Sequence, residues 1–453
     1  MCKPTETASV FTELWRELQE NSPPDILYIH RGALPSCFAV SDIAAASIAL
    51  VAGTLQRLIS SNATPEVDRR LASQWFQMSL RPLNRPAPAL WDPFAGDYAT
   101  QDGWIRLHTN AAHHRQAMER VLGIHADREA LAATVKGWRS VALEDAIAQA
   151  GGCAAAMRSE SEWRSHPQGA AVAREPLFIQ QFTGAAPAAP WRLPAARPLL
   201  GIRVLDLTRI IAGPVATRLL AGLGAQVLRI DPPGWAEPTL EEEITAGKRC
   251  ARLNLKSEED KAQLRDLLAK ADVVVHGYRA DALAALGFDE ETRSALAPGL
   301  VDVSLNAWGW SGPWRNRRGF DSLVQMACGI AHAGMLWQGS DKPTPLPVQA
   351  LDHATGYMMA AAVLKGLYHR LHAQQGYRAR LSLARTAAFL MAHPQRQETA
   401  FPARSRYDEL PFYEWSSFGL GARLKPPLWL AGTPLAWSRA PSPLGSDEAK
   451  WAW

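Results

Sequence analysis

The chain has 453 residues, 47% of them hydrophobic and 20% charged, which is long and apolar enough for two or three domains with a substantial core. Lys plus Arg is 48 against 44 Asp plus Glu, so the formal charge is only +4, which excludes the concentrated basic footprint of a nucleic-acid binder. The 32 Gly and 32 Pro follow no period, which excludes collagen-like and low-complexity chains.

The N-terminus has no apolar stretch of the kind a signal peptide needs. The most apolar run, 43–55 (IAAASIALVAGTL), falls short of the roughly 20 residues that span a bilayer. Cys2, Cys37, Cys153, Cys250 and Cys328 stand singly, without metal-type spacing. Reduced, buried thiols are therefore expected, with no metal site and no disulfide frame. The sequence predicts a cytoplasmic protein that binds neither membrane nor nucleic acid.

In chain order, residues 1–96 read as an N-terminal helical segment, with helices at 41–58 and 65–80. Residues 97–108 (DYATQDGWIRLH) predict a hairpin turning at Asp102-Gly103. Helices are expected at 111–122, 128–136 and 143–150, so 97–183 forms a small α+β domain. The Ala/Pro-rich stretch 184–198 reads as a linker. Strand and helix signals then alternate. Strands are predicted at 201–207 (GIRVLDL), 226–230, 272–275 and 300–305. Pro214 is placed at the first position of a helix over 215–223, and Ser257 caps another running to 270. This alternation implies parallel βαβ units. Apolar helices follow at 322–333 and 354–372. Residues 396–453 are read as an irregular tail packed on a large domain of 199–395. Residues 42–58 echo 352–371 in composition and in their opening Asp and closing Arg-Leu. The echo fits either an internal repeat or two independent Ala-rich buried helices.

Phosphate-loop, dinucleotide-fingerprint, serine-elbow and zincin motifs are all missing from the sequence. The turn at 208–214 (TRIIAGP) nonetheless follows the first strand, where ligands of parallel sheets bind. It carries Arg209 and opens a helix, which suits an anion, although an ordinary tight connection has the same sequence. Asp352 stands at the start of the long helix. It reads either as an N-cap or as a carboxylate nucleophile whose charge the helix terminus stabilises and whose pKa it lowers. Ala354 and Gly356 leave room beside it.

A set of motifs resembles the class III CoA-transferases, the CaiB/BaiF family. It runs through 201–214, 224–231, Gly247-Lys-Arg249 with 253–256, 271–278 (ADVVVHGY) and Leu286-Gly-Phe288. It continues through 309–313 (GWSGP), Gly319-Phe-Asp321 with Gln325 and Gly329, Asp352 with Gly356, and Gly376 with 381–383. The region around Tyr98, Asp102-Gly103-Trp104, Trp138, Glu144, 152–158 and His166-Pro167 resembles the family's small domain, which in ordinary members follows the catalytic helix. The chain thus resembles a fused or rearranged member, its small domain ahead of its large one.

The resemblance implies an α/β fold, a Rossmann-like parallel sheet flanked by helices plus a smaller α+β domain. It implies an enzyme that moves CoA from an acyl-CoA to a carboxylic acid, with CoA as substrate and no permanent cofactor. Asp352 takes the nucleophile's place, forming an aspartyl anhydride and then an aspartyl-CoA thioester. Arg209, Ile211, Ala212, Leu253, Tyr278, Arg318 and Phe320 fall at CoA-contacting positions. Gly277, Ala285 and Pro232 depart from the usual polar CoA contacts, for which Arg279, Lys248 or Arg249 would compensate. An interlocked homodimer is implied as well. Two alternatives stand beside this reading. One is a racemase or epimerase, which needs two acid/base groups where Phe320 cannot titrate and His353 is the remaining candidate. The other is an inactive CoA-binding subunit.

Overall fold

The computed structural model describes residues 6–19, 22–396 and 400–452; Cys2 lies outside them. The centre of the molecule is a seven-stranded sheet. Its order is Lys248–Arg252, Gln226–Asp231, Arg203–Leu207, Val273–His276, Val301–Asn306, Gln375–Ser382 and Ile179–Ala185. The first six strands are parallel and the last is antiparallel. Counted along the chain, the parallel strands lie in the order 3-2-1-4-5-6, the doubly wound Rossmann arrangement. Its strand order reverses between Arg203–Leu207 and Val273–His276, so loops leaving those two strands diverge and open a crevice.

The strands are apolar on both faces because helices cover both. Val204, Val273 and Val275 join one core cluster, together with the helices Val40–Leu58, Ala212–Gly222 and Ala350–His372. Leu205, Leu207 and Val274 join the opposite cluster, with Leu264, Leu268 and Phe288. Residues 94–156 form the small α+β unit, whose antiparallel strands Gly96–Ala99, Trp104–Leu107 and Ala154–Ala156 pack on three helices through Ile105, Met118, Leu131 and Leu143.

Several expectations shift. The strand Ile179–Ala185 crosses the expected boundary at 183/184, so the start of the expected linker is an edge of the large sheet. Residues 65–80 are not one helix. They hold a strand at Glu66–Asp68, a helix at Arg69–Trp75 and the start of a strand at Leu80–Pro82. Asp68 caps that helix, accepting from the Arg70 and Leu71 amides and stopping the helix from starting earlier. The expected helix 322–333 is two, Asp321–Ala327 and Ile330–Gln338, broken where Gly329 adopts φ +99°. Pro214 is the third residue of its helix, still in the turn whose amides need no intrahelical acceptor. The tail is less irregular than expected, because Gly419–Arg423 pairs with Leu80–Pro82 and Leu428–Trp429 with the strand Glu66–Asp68.

Candidate active site

A cleft of about 580 Å3 opens at the carboxyl ends of the parallel strands, at the point of strand-order reversal. The first loop forms one wall. Ile210 is held at φ +67°, a conformation costly for a β-branched residue, and its amide donates to Glu237 Oε1 at 2.8 Å. Glu237 is itself buried and also accepts from Trp235 Nε1 at 2.8 Å and Arg229 at 2.9 Å. Under the same loop, Asp206 accepts from the Thr208 amide at 2.9 Å and from Lys248 Nζ at 2.9 Å. Strain in the loop is thus held by buried ionic ties beneath it. Arg209 lies over the rings of Trp235, at 4.9 Å, and Tyr278, at 5.6 Å. These cation–π contacts fix the guanidinium at the mouth of the cleft.

Asp352 lies in the opposite wall. It is the third residue of the helix Ala350–His372, whose N-cap is Gln349, so the N-cap reading does not hold. Gly356 lets this helix approach the first loop, since a Cβ there would stand 2.5 Å from the Ala212 carbonyl oxygen. That closeness brings the Ala212 amide to the Asp352 carboxylate as a donor.

The expected lowering of the Asp352 pKa is also overturned. Burial and the charge of Asp321 raise it well above the usual carboxylate range, and the Ala212 amide offsets only part of this. Asp321 is likewise raised, to about 6, by burial above all. The Asp352 amide donates to Asp321 Oδ2 at 2.8 Å, and Gln325 Nε2 donates to Oδ1 at 2.5 Å.

Of the other expected residues, Arg209, Ala212, Tyr278, Arg279, Arg318 and Phe320 line the same cleft as Asp352. Ile211 and Leu253 do not; Ile211 packs against the main core and Leu253 is buried in the cluster below the sheet. Lys248 and Arg249 are not free to compensate for lost ligand contacts, because Lys248 is buried on Asp206 and Arg249 pairs with Asp447. Gly277 and Pro232 line the cleft, whereas Ala285 sits on the short helix Ala282–Ala285. His353 stacks on Phe76 at 5.2 Å, outside the cleft lining, and burial lowers its pKa to about 3.

The sequence reading missed His113, His114 and Trp235, which line the cleft. The two histidines open the small unit's helix Ala112–Leu122, where no local pattern marks them as facing another domain. His108 stacks on Phe320 at 3.9 Å and His114 meets its edge at 5.6 Å, so small-unit side chains reach the site. Among the described residues no cluster of His, Cys, Asp or Glu is arranged to hold a metal ion.

Residues 199–408 match the profile of CoA-transferase family III. This part of the chain is similar to that family. An acetyl-coenzyme A transferase of Hypoxylon pulicicidum is 36% identical over 192 residues, covering 41% of this chain and 32% of its own length. An acyl-CoA transferase of Gibberella moniliformis is 28% identical over 418 residues, covering 87% and 70%. A succinate–glutarate CoA-transferase of Agrobacterium fabrum is 30% identical over 244 residues, covering 47% and 60%. Apart from the Gibberella protein, the chain therefore spans less than two thirds of these relatives. Among solved structures, a hypothetical protein of Mycobacterium tuberculosis aligns with TM-score 0.39 and 31% identity, over 44% of this chain and 58% of that one. The CoA-transferase family III match spans both walls of the cleft, the loop bearing Arg209 and the helix bearing Asp352.

Proposed function

We propose that the chain transfers CoA from an acyl-CoA thioester to a carboxylic acid, with Asp352 as nucleophile. The observation that carries this reading is a single carboxylate in the wall of a cation-rimmed cleft at the strand-reversal point, inside the segment that matches CoA-transferase family III. Asp352 attacks the thioester carbonyl, the C–S bond breaks and CoA leaves as thiolate. The resulting anhydride keeps the acyl group activated, and the thiolate attacks the aspartyl carbonyl to give aspartyl-CoA and the released acid. An acceptor carboxylate then reverses the sequence. Covalent catalysis divides one difficult exchange into easier ones.

The anhydride must be kept from water, and the enclosed position of Asp352 serves that need. Arg209, Arg279 and Arg318 offer cations to the CoA phosphates, and Tyr278 and Phe320 offer ring faces, with Ala212 at the helix N-terminus. CoA enters and leaves as substrate. Asp352, the first loop and the small unit's histidines all belong to one chain.

Incubation with acetyl-CoA followed by peptide mass spectrometry tests the reading. A CoA or acetyl adduct on the peptide containing Asp352 is expected, and Asp352→Asn is expected to lower transfer by about 10^3-fold or more, as loss of a covalent nucleophile does. Full activity in Asp352→Asn removes the nucleophile assignment. CoA binding by the wild type without transfer to any acid identifies an inactive subunit, and α-proton exchange in deuterated water without transfer identifies a racemase.

A further inference from the structure

The motif Gly319-Phe-Asp321 with Gln325 is not explained by ligand contact alone. Phe320 lines the cleft, but Asp321 is buried behind it. Its carboxylate is the centre of a hydrogen-bond chain. The Leu346 amide donates to Gln325 Oε1 at 2.7 Å, Gln325 Nε2 donates to Asp321 Oδ1 at 2.5 Å, and the Asp352 amide donates to Asp321 Oδ2 at 2.8 Å. The Leu351 amide donates to it too. Asp321 therefore holds the segment that enters the catalytic helix.

It also places a second acidic group beside Asp352, both of them buried. Other charged and titratable groups face the pair from each neighbouring element. Arg106, on the strand Trp104–Leu107, favours the charge of Asp321. His108 and His114 flank Phe320, and burial lowers both to about 3, leaving them neutral. His353 on the helix itself is neutral for the same reason, and Arg209 shares the cleft with Asp352.

We propose that Asp321 is a positioning residue for CoA transfer: it fixes the turn carrying Asp352 and, as a second carboxylate beside it, favours the states in which Asp352 has given up its charge to a covalent bond. This rests on the transfer reading above. Asp352 Oδ bonds to the acyl carbon as the C–S bond breaks, and the thiolate takes the electron pair. The thiolate sulfur then bonds to the aspartyl carbon as the C–O bond breaks, and the acid departs as a carboxylate. Asp352 ends as a neutral thioester, and the negative charge has left with the acid. Like-charge repulsion in the resting site is thereby relieved on the enzyme–CoA intermediate.

The test uses the full chain labelled with 13C at the aspartate carboxyls. Carboxyl titrations are followed by NMR, and the Asp352–CoA thioester is trapped at a fixed ratio of acetyl-CoA to acetate. Asp321→Asn keeps an oxygen for the Asp352 amide and removes the charge. The Asp352 midpoint is expected to fall by at least about one pH unit and the trapped thioester to drop severalfold, since coupled sites titrate as a pair. Asp352→Asn is expected to lower the Asp321 midpoint reciprocally, which decides the matter if Asp321→Asn does not fold. Unchanged midpoints with a normal wild-type adduct overturn the role given to Asp321 and leave CoA transfer standing. No adduct in the wild type with any acyl-CoA overturns the transfer reading, and this role with it.

Discussion

In the proposed transfer Asp352 attacks only as a carboxylate, yet its surroundings favour the protonated form. Burial and Asp321 raise its pKa, so the rate of adduct formation is expected to climb with pH through a midpoint well above the ordinary carboxylate value near 4. Stopped-flow release of CoA thiolate across pH 4–9 reads this directly; a flat profile above pH 5 contradicts it. The same shift has a sign for stability. A carboxyl with a raised folded pKa binds its proton more tightly folded than unfolded. The stability it adds is present below the unfolded pKa and is lost as pH rises through the folded one, about 6 for Asp321. Asp352→Asn is therefore expected to stabilise the protein at pH 8 by roughly 1–3 kcal/mol relative to wild type, and by little at pH 4. Thermal melts at the two pH values check the difference. Gly356 is the other residue that the site depends on. A methyl there meets the Ala212 carbonyl oxygen at 2.5 Å and Val215 at 3.0 Å. Gly356→Ala is expected to cost about 1–3 kcal/mol as an overpacked contact and to slow adduct formation by pushing Asp352 away from Ala212.

The helix carrying Asp352 packs on a counterpart of itself. Val40–Leu58 starts after a residue at φ −74° and ψ 57°, and Ala350–His372 after one at φ −76° and ψ 65°. Each has an aspartate third in line, Asp42 and Asp352. Each lies between two strands that pair in parallel, Leu27–Ile29 with Glu66–Asp68 and Val301–Asn306 with Gln375–Ser382. Each is followed by a helix capped by a side chain, Asp68 or Ser382. The two aspartates differ in partners. Arg69 grips both oxygens of Asp42, at 3.1 and 3.0 Å, and Thr7 donates to it as well. An acidic group tied to a guanidinium and a hydroxyl in this way is built as a structural counter-ion, and it lies outside the cleft lining. Asp42→Ala leaves Arg69 unpaired and is expected to cost about 3–5 kcal/mol, read by urea unfolding, while adducts still form only on Asp352. The echo between 42–58 and 352–371 was visible in the residues, but its meaning was not. The strand Glu66–Asp68 is short, and the paired strands that complete the repeat hold few residues for periodicity to register. Four parallel strands of the large sheet were legible because their apolar runs reflect burial on both faces; the longest, Gln375–Ser382, was not, since Arg378 and Arg380 interrupt its apolar run. Lys248–Arg252 escaped because an edge strand with Lys and Arg reads as a turn until Asp206 and Asp447 are seen to take those charges. Arg209, after an apolar strand, and Asp352, before an Ala-rich helix, were candidates by their places, and the resemblance to class III CoA-transferases decided between the readings open to each. His113 and His114 were not, because only tertiary packing carries them to the cleft.

The segment that matches the family holds most of the core on one face of its sheet but shares the core on the other face with residues outside it. Every residue from Ala350 to Leu367 is buried, and the face of this helix away from the sheet is covered by Val40–Leu58, outside 199–408. A buried ionic cluster ties the same regions together. Glu243 accepts from Leu80 at 2.9 Å and Ser79 Oγ at 2.6 Å on the N-terminal side, pairs with Arg218 on the helix after the first strand, and faces Arg423 from the tail at 3.9 Å. Trp75 and Trp437 stack at 6.0 Å above it, with Arg218 over one ring and Arg423 over the other. Burial raises the Glu243 pKa, but Arg218 and Arg423 outweigh it and hold the carboxyl at about 2. Stability from this group is therefore present above the unfolded value near 4.5 and is lost as pH falls towards 2. Glu243→Gln leaves the buried Arg218 guanidinium short of a counter-charge while Arg423 keeps Glu414, a loss of about 3–5 kcal/mol. Two transitions are expected to merge into one for the intact chain, because unfolding any of the three regions exposes the other two. Residues 199–408 expressed alone are expected to aggregate, since the bare face of Ala350–His372 is a large apolar surface with no cover. A soluble 199–408 fragment with a cooperative melt and an Asp352 adduct would show that the N-terminal half is dispensable to both fold and chemistry; recovery of solubility only on co-expression with residues 1–198 and the tail is the result this packing requires.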